Sequence, residues 1–540
     1  MKSNDVVPRW AGALIGLVAG GVALGIAYLV AAIVNPAAFP VVAVGDGAVD
    51  LSPAPLKEWA IRSFGENDKT VLVGGVLVAL VLFAALIGIV ASRRLAFGQM
   101  GFVLFGVVGL VAVVTRPGTG PLDVLPTVIG VAAGAWALGW LLRRAVSENQ
   151  QVSENQQVSE EQQVHETRAD EAERPPVMRA GADLLAFDRR KLLTGVAGGV
   201  AVAGVAGLAG QLLGGRRVGD VARTSVALPT PAQAAKALPA GTDFNIPGLS
   251  PFFTKNRDFY RVDTALIVPQ VNPNDWTLKI HGLVDRPMEL TFAELMKRPL
   301  TEADVTLTCV SNEVGGEYAG NARWLGVRMA DILREAGIKD GADMLLSTSD
   351  DGWTCGTPVD VVMDGRDALF AMAMNGEVLP VEHGFPVRQV VPGLYGYVSA
   401  TKWVVDIKVT RFDTDEAYWT PRGWSARGPI KTQSRIDLPA QGKSLKAGRT
   451  AVAGVAWAQH TGIDAVEVRI DKGAWQQAKL AAVPGPDTWR QWSLDWDATP
   501  GEHTIEVRAT DAAGRTQTER QAPPAPDGAT GWHTVTVSVT

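Results

Sequence analysis

Long apolar runs near the start of the chain limit its fold more than any other feature. Four of them lie within the first 145 residues, at 10–34, 71–92, 95–115 and 124–142. Each has about the length that a helix needs to cross a bilayer, roughly 20 residues. The first run is about twice as long as the apolar core of a signal peptide, and further runs follow it. The pattern predicts an all-α membrane domain at 1–144 with four transmembrane helices.

Glycines recur at Gly12, Gly16 and Gly20 in the first run. Small residues at this spacing let helices approach each other closely. The spacing allows the first helix to have close helical neighbours, although small residues at this spacing also arise by chance in Gly-rich runs.

Basic residues beside the runs predict their orientation. Arginine pairs occupy 93–94, between the second and third runs, and 143–144, after the fourth, while Lys2 and Arg9 precede the first. Because basic residues favour the cytoplasmic side, the N-terminus is expected in the cytoplasm and the loop at 35–70 outside.

A polar repeat follows the fourth run. VSENQQ, VSENQQ and VSEEQQ succeed one another at 146–163. A six-residue period turns a helix by about 600°, so the valines form no apolar stripe. The low hydrophobicity favours a solvated cytoplasmic linker at 145–188. A short interaction segment is the alternative.

A fifth apolar run begins at a pair of arginines. The segment 187–213 is FDRRKLLTGVAGGVAVAGVAGLAGQLL, with Arg189 and Arg190 before a Gly/Ala-rich stretch. It resembles a twin-arginine export signal, or it is a plain positive-inside anchor. Both interpretations predict a fifth transmembrane helix at 189–213 and place the rest of the chain outside. An extracytoplasmic linker at 214–248 follows, and small residues at 231–234 fit a cleavage site as well as a linker.

Composition agrees with a chain built from two different parts. Its mean hydropathy of +0.11 is unusual both for a soluble enzyme and for a pure membrane protein. The net charge of -6 gives no basis for binding nucleic acid, and two cysteines exclude a disulfide framework.

One of those cysteines, Cys309, lies in the segment TLTCVSNEVGGEYAGNARWLGV at 306–327. It ends an apolar, β-branched run and precedes small and polar residues, where a strand gives way to a loop. A lone cysteine is more often a small buried apolar residue. The run CVSNEVGG…GNARW, however, resembles the molybdenum-cysteine segment of the sulfite oxidase family of molybdopterin enzymes.

The resemblance covers about 251–540 and has structural implications. It implies an α+β sulfite-oxidase-type molybdopterin-binding domain at 249–440, with Cys309 as the metal ligand. A Cys309–Cys355 disulfide would compete with that ligation. It also implies an all-β immunoglobulin-like dimerisation domain at 441–540, where the runs AVAGVAWA, AVEVRI, HTIEVRAT and HTVTVSV alternate as strands do. Binding of a separate protein partner is the alternative role for this domain.

Two further segments share the resemblance: FFTKNRDFYRV, which starts at Phe252, and HGFPVRQVVPGLYGYVSATKW, which starts at His383. By the family pattern they contribute the groups that contact the pterin and its phosphate. The implied cofactor-binding residues are Asn256, Phe259, Tyr260, His383, Arg388, Ser399, Thr401 and Lys402. Lys255 stands where sulfite oxidases place an arginine that helps to hold the oxyanion.

Other residues bear on the substrate. Asn321 and Arg323 are expected to line the pocket. Val314 stands where known sulfite oxidases have an arginine, and Trp424 where they have a catalytic tyrosine. Tyr418 is the candidate substitute for that tyrosine, and a packing role is the alternative, since an aromatic residue here more often packs. These departures leave the substrate open.

The histidines bear on electron transfer. None of the six lies in an apolar run, and the chain has no Cys-x-x-Cys-His site. Haem in a membrane normally needs axial histidines, so no haem is expected. Electrons would pass to or from a separate carrier, a cytochrome or a quinone.

The sequence thus predicts a membrane-anchored molybdenum-molybdopterin oxidoreductase that acts outside the cytoplasmic membrane by oxygen-atom transfer. Its expected partners are a small oxyanion or sulfoxide-like substrate, membrane lipid, an electron carrier and a second copy in a homodimer. A sulfite dehydrogenase-like enzyme is the first interpretation; a sulfoxide or N-oxide reductase of the same fold is the alternative. A non-catalytic binding module is the second alternative. A transporter or sensor is disfavoured, because no charged residue lies deep in any run.

Overall fold

A computed structural model describes residues 7–53, 56, 68–116, 119–148, 185–214 and 218–540. The chain divides into two compact units, Met1–Arg216 and Arg217–Thr540.

The first unit is helical. Among its described residues, five helices are long and apolar enough to cross a membrane by length and composition, as predicted. The long helices are α1 (Arg9–Val34), α3 (Asp68–Ala91), α4 (Leu95–Val114), α5 (Leu125–Ala145) and α6 (Arg189–Gly214), and a shorter α2 spans Pro40–Leu51.

Helix α1 is central in this unit and shares a core with α5 and α6. Its glycines allow close packing, because a Cβ on Gly16 would lie 2.1 Å from the carbonyl oxygen of Ala84 in α3. The close approach that the glycine spacing allows is therefore present.

Two short strands, β1 (Val146–Glu148) and β2 (Leu185–Phe187), pair antiparallel at the ends of the predicted linker. The polar repeat itself lies outside the described residues, apart from its first three.

The second unit opens with α7 (Val218–Thr224), which leads into an extended segment. That segment joins the fold, since the Gln233 N–H donates to the Leu300 carbonyl (3.1 Å) and the Glu302 N–H donates to the Gln233 carbonyl (2.8 Å). Residues 231–234, which fit a cleavage site or a linker, thus lie against the start of a strand.

Two five-stranded sheets build the predicted molybdopterin-binding domain. Their orders are β4-β3-β12-β7-β8 and β10-β9-β6-β5, with β11 also paired to β9. The strands are β3 (Thr277–Gly282), β4 (Met288–Thr291), β5 (Thr301–Thr308), β6 (Ala319–Arg328), β7 (Met344–Ser349), β8 (Thr354–Pro358), β9 (Leu369–Met374), β10 (Glu377–Val378), β11 (Arg388–Val390) and β12 (Val404–Thr410). Short helices α8 (Phe292–Met296), α9 (Met329–Ala336) and α10 (Val359–Met363) lie between them.

The C-terminal β region contains two further sheets, of order β13-β15-β19-β18 and β14-β21-β20-β16-β17. Both sheets contribute to one core, with Val452 and Trp492 from the first and Val466, Val507 and Val537 from the second. The strands are β13 (Gln433–Leu438), β14 (Ser444–Leu445), β15 (Gly448–Trp457), β16 (Ile463–Ile470), β17 (Gln476–Gln477), β18 (Lys479–Leu480), β19 (Arg490–Ala498), β20 (Gly501–Asp511) and β21 (His533–Val539).

The four alternating sequence runs form β15, β16, β20 and β21. Strand β13 lies before the predicted boundary at 441, yet it pairs with β15. The C-terminal β region therefore begins at Gln433.

Candidate molybdopterin site

Cys309 follows directly after β5, at the start of a tight loop. Its N–H donates to the Tyr318 carbonyl (2.9 Å), and its carbonyl accepts from the Asn312 N–H (3.1 Å). The thiol is buried, with 8% exposure, and neither Cys309 nor Cys355 forms a disulfide. Burial raises the pKa of the thiol, and the nearby Lys402 charge opposes that rise. Without a metal, this cysteine is therefore a protonated thiol.

An aromatic wall lies beside this loop. Phe259 stacks on Tyr260 with centroids 5.2 Å apart, and its edge meets Trp324 at 5.8 Å and His383 at 5.6 Å. A Cβ on Gly320 would lie 2.7 Å from the Phe259 ring, so only glycine lets the ring approach β6 this closely. Burial raises the pKa of the Tyr260 hydroxyl, which therefore stays protonated.

Asn256 and His383 are linked. His383 Nε2 lies 2.9 Å from the Asn256 carbonyl oxygen. Burial lowers the pKa of His383 to about 4, so the ring is neutral at pH 7. Because a carbonyl only accepts, Nε2 carries the proton and donates. The Asn256 side chain accepts from Asn375 Nδ2 (2.9 Å) and donates to the Met374 carbonyl (3.2 Å).

Two buried cations belong to the segment that begins at His383. Arg388 is 5% exposed, and its guanidinium carbon lies 5.1 Å from the Trp324 ring centroid. It donates to the carbonyls of His383 (3.0 Å), Gln389 (3.3 Å) and Ala400 (3.4 Å). Among the salt bridges of the described residues, none involves Arg388. Burial lowers its pKa to about 10.

Lys402, the second cation, is 9% exposed. Its Nζ donates to Asp263 Oδ2 (2.7 Å) and to the Glu382 carbonyl (3.1 Å). Burial lowers its pKa to about 8, although the Asp263 carboxylate opposes the shift. Lys402 is thus a cation at pH 7 that is already paired.

The predicted hydroxyl partners are engaged within the protein. Ser399 Oγ donates to the Tyr395 carbonyl (2.9 Å), and Thr401 Oγ1 bonds to Ser347 Oγ (2.7 Å). Both side chains are fully buried. Arg388 and Lys402 are therefore the cations of the site. The hydroxyls of Ser399 and Thr401 instead form hydrogen bonds within the core.

Asn321 and Arg323 point away from the aromatic wall. Successive strand residues alternate between faces, so these two lie opposite Gly320 and Trp324 on β6. Asn321 donates to the Phe252 carbonyl (2.8 Å). Arg323 makes a two-point ion pair with Asp304, at 2.7 and 2.9 Å. Both side chains thus form contacts within the protein that hold β6 to neighbouring segments.

Three other positions bear on the proposed substrate: Lys255, Tyr418 and Trp424. Lys255 is exposed and precedes a short helical turn, Asn256–Asp258. The Tyr418 ring lies 3.7 Å from the Arg422 guanidinium carbon, and Trp424 packs against Tyr397 with centroids 6.0 Å apart.

Sequence reasoning missed Asn375, which ties several site elements together. Its Nδ2 donates to the carbonyl of Thr254 (2.8 Å) as well as to Asn256, and its Oδ1 accepts from the Arg323 N–H (2.9 Å). Asn375 and Gly376 both have positive φ, 53° and 79°, in the tight turn between β9 and β10. An Asn-Gly pair between two strands is a strong hairpin signal that could have located this turn.

The residues fit an anionic, flat cofactor. A buried arginine that donates to carbonyl oxygens needs a negative charge nearby, and aromatic rings suit a flat heterocycle. Within the described residues, no group of three or more His, Cys, Asp or Glu side chains is arranged to hold a metal ion. A metal that arrives with its own organic sulfur ligands needs only the one thiolate that Cys309 can supply.

Similarity to known proteins identifies the family of this chain. The sequence profile of the family described as "Oxidoreductase molybdopterin binding domain" matches residues 265–419. An uncharacterized oxidoreductase of Bacillus subtilis (strain 168), YuiH, is 38% identical over 153 residues, which cover 28% of this chain and 74% of YuiH. Mitochondrial sulfite oxidase of Rattus norvegicus is 29% identical over 325 residues, which cover 50% of this chain and 57% of that protein. The chain belongs to the sulfite oxidase family of molybdopterin oxidoreductases.

Membership of this family makes the protein an oxidoreductase and implies molybdenum-molybdopterin as its cofactor. The chain spans a little over half the length of the sulfite oxidase it matches. The sulfane dehydrogenase SoxCD from Paracoccus pantotrophus has a TM-score of 0.46 and 25% identity, over 53% of this chain and 81% of that chain.

Proposed function

We propose that this protein is a membrane-anchored molybdenum enzyme that transfers an oxygen atom to or from a small substrate outside the cytoplasmic membrane. The observation that carries the proposal is the placement of Cys309. The N–H of this buried residue donates to the Tyr318 carbonyl (2.9 Å), and the Tyr318 ring lies 6.3 Å from that of Tyr260 in the aromatic wall.

The cofactor would be held by three kinds of group. Cys309 would bind the metal as its single protein ligand. Asn256, Phe259, Tyr260 and His383 would contact the pterin. Arg388 and Lys402 would neutralise the phosphate, with Ser399 and Thr401 supporting the loop between them.

When bound, the molybdenum cofactor supplies two-electron redox chemistry coupled to transfer of an oxygen atom. The chain's own residues bind and orient. His383 is neutral, and its Nε2 proton is held by Asn256, so it is not expected to move protons near pH 7. Phe259, Arg388 and Cys309 are buried, and they would keep water away from a cofactor bound on this side of β6.

Arg388 is the strongest electrostatic support for an anionic ligand. A buried guanidinium paired only with carbonyls keeps much of its desolvation cost. A phosphate accepts two parallel hydrogen bonds from a guanidinium and would offset that cost. The same argument disfavours a binding module that has lost the cofactor.

The proposed substrate class rests on the positive charge of Lys255 and on two positions, Val314 and Trp424, that differ from known sulfite oxidases. We propose a sulfite-like oxyanion oxidised in a sulfite dehydrogenase-like reaction, with Lys255 supplying a positive charge. Val314 and Trp424 lack the groups of known sulfite oxidases, and this favours sulfoxide or N-oxide reduction as the second candidate. In either reaction, Tyr418 would take the place of the catalytic tyrosine.

The direction is tested by turnover of the purified full-length enzyme with artificial electron carriers. Sulfite with an oxidised carrier tests the first candidate. Methyl sulfoxides and amine N-oxides with a reduced carrier test the second. Activity only in the reductive direction would overturn the dehydrogenase proposal, and absence of turnover in both would overturn both candidates.

Membrane anchoring is supported by the five apolar helices and by the basic residues beside them. We propose that the segment at 145–188 is cytoplasmic and that residues 214–540 lie outside, where a separate cytochrome or quinone exchanges electrons. No haem is proposed in the chain. Reporter fusions at residue 144 and after residue 540 test the topology, and a cytoplasmic signal from the second would contradict it.

The C-terminal β region is proposed to be an immunoglobulin-like dimerisation domain. Its two sheets around one core support the sandwich. Light scattering of the purified protein tests the dimer, and a monomer at micromolar concentration would contradict it.

A further inference from the structure

The strand that leads to Cys309 lies at the edge of its sheet. Strand β5 pairs with β6 on one side only. An edge strand presents unpaired N–H and C=O groups along its outer side. The last four residues of β5 are nevertheless all buried. Buried backbone groups need hydrogen-bond partners, so another part of the chain must supply them.

The C-terminal β region supplies these partners. The Thr306 N–H donates to the Asp487 carbonyl (2.9 Å), and Thr306 Oγ1 accepts from the Trp489 N–H (2.7 Å). Gln459 Nε2 donates both to the Thr306 carbonyl (3.0 Å) and to Thr308 Oγ1 (3.0 Å). Thr308 is the residue immediately before Cys309.

The loop after Cys309 is held from the same region. Arg435 Nη1 donates to the Gly316 carbonyl (2.9 Å). Gly315 has a φ of 79°, and a Cβ there would lie 2.2 Å from the His533 ring. The C-terminal β region thus contacts the Cys309 segment on both sides of the cysteine.

Gln459 is the most specific of these contacts. It is 2% exposed, and its two Nε2 bonds go to Thr306 and Thr308 of β5. In the part of the chain that the structure describes, its Oε1 has no hydrogen-bond partner. A buried acceptor without a partner is unfavourable. The side chain is therefore attached to the site strand by its nitrogen alone.

The turn that carries Gln459 is itself fixed. His460 has a φ of 70° and places Nδ1 3.2 Å from Asp487 Oδ1. The His460 N–H donates to the Pro486 carbonyl (3.1 Å). These contacts join the turn after β15 to the segment that precedes β19. Gln459 and Asp487 therefore approach Thr306 from one rigid element.

We propose that Gln459 is a positioning residue for Cys309, through which the C-terminal β region sets the place of the thiol. This inference rests on the proposed function, in which Cys309 binds the metal. Loss of the two donated bonds would leave the Thr306 carbonyl and Thr308 Oγ1 without their Gln459 partner, and the cysteine would be held less firmly.

The test uses full-length protein in detergent with Gln459→Met, which keeps an unbranched side chain and removes the donors. Gln477→Met, at an exposed position in β17, is the matched control. The first readout is the alkylation rate of each cysteine by iodoacetamide in cofactor-free protein, resolved by peptide mass spectrometry. Cys355 is fully buried and serves as the internal control.

Gln459→Met is expected to raise the alkylation rate of Cys309 about tenfold, because a local opening becomes easier, and to leave Cys355 unchanged. The second readout is the electron paramagnetic resonance spectrum of molybdenum in the loaded enzyme, which is expected to change in Gln459→Met alone. Unchanged Cys309 reactivity with an unchanged spectrum would overturn the proposal. Equal acceleration at both cysteines would also overturn it, since the substitution would then act on the whole fold.

The two proposals can fail separately. Thiol reactivity is measured without the cofactor, so it reports on positioning even if Cys309 proves not to be the metal ligand. Retention of molybdenum and activity in Cys309→Ser would contradict the ligand assignment and leave the alkylation result standing.

Discussion

The guanidinium carbon of Arg388 lies 5.1 Å from the ring centroid of Trp324. It donates hydrogen bonds to three backbone carbonyls. A buried cation in this setting would be stabilised by an anion that is not part of the chain. The pair thus links the aromatic wall to the charge that would hold a phosphate.

Arg388→Met is expected to lower the molybdopterin content of the purified enzyme at least about tenfold, because a two-point, charge-assisted contact is lost. The gain in thermal midpoint on cofactor loading should shrink with it. The control is Arg469→Met, since Arg469 also stacks on an aromatic ring, Trp475, but is paired with Glu506. Cofactor content equal to wild type in Arg388→Met would contradict the assignment.

Arg323→Met tests the structural role of a residue that the sequence placed in the pocket. It leaves the Asp304 carboxylate, which is 4% exposed, without its partner. We expect a loss of about 2 kcal/mol in the free energy of unfolding, less than for a fully buried pair because Arg323 is 27% exposed. Turnover per loaded enzyme should be unchanged.

Arg334→Met is the matched control, because its ion pair with Asp331 is exposed. It should affect stability little. A large loss of turnover in folded, loaded Arg323→Met would restore a role in the pocket.

Gly320→Ala should disturb the aromatic wall. The added Cβ would lie 2.7 Å from the Phe259 ring, and overpacking of this kind costs about 1–3 kcal/mol. Chemical denaturation followed by tryptophan fluorescence measures the loss. Gly485→Ala, where nothing lies within 4 Å, should change little. Equal stability of the two variants would refute the close approach of Phe259 to β6.

Acid should destabilise the protein through two histidines. Burial lowers the pKa of both His383 and His533 from 6.5 to about 4. As the pH falls from 6.5 to 4, the unfolded chain takes up protons that the folded chain excludes, so the stability present above pH 6.5 is lost. Each histidine contributes at most about 1.4 kcal/mol per pH unit within that window.

The measurement is the thermal midpoint of cofactor-free, full-length protein between pH 7 and 4. His533→Asn should make the fall shallower, because one of the two titrations is removed. A midpoint that stays level across this range would contradict the low pKa values.

The sequence predicted what depends on local pattern. Apolar length located the five helices, and alternation located β15, β16, β20 and β21. The sequence placed Asn321 and Arg323 in the pocket, because a strand's own pattern does not show which of its two faces meets the aromatic wall. That choice depends on Phe259, which reaches Gly320 and Trp324 from a distant segment.

Other site features depend on long-range contacts that no local pattern records. Gln459 and Thr306 are 153 positions apart, and their hydrogen bond depends on how the C-terminal β region packs on β5. Strand β13 is a similar case. Its pairing with β15, which its own sequence does not predict, shows that it belongs to the C-terminal β region.

Cys309 is the proposed metal ligand. This assignment is tested by the molybdenum content and turnover of Cys309→Ser, measured beside wild type and Cys355→Ser. Cys355 is buried near Thr357, with Sγ 3.7 Å from Oγ1, so serine should be tolerated there. Cys355→Ser should keep both molybdenum and turnover, whereas Cys309→Ser should lose molybdenum and at least about 100-fold in turnover. Stoichiometric molybdenum with unaltered turnover in Cys309→Ser would contradict the account.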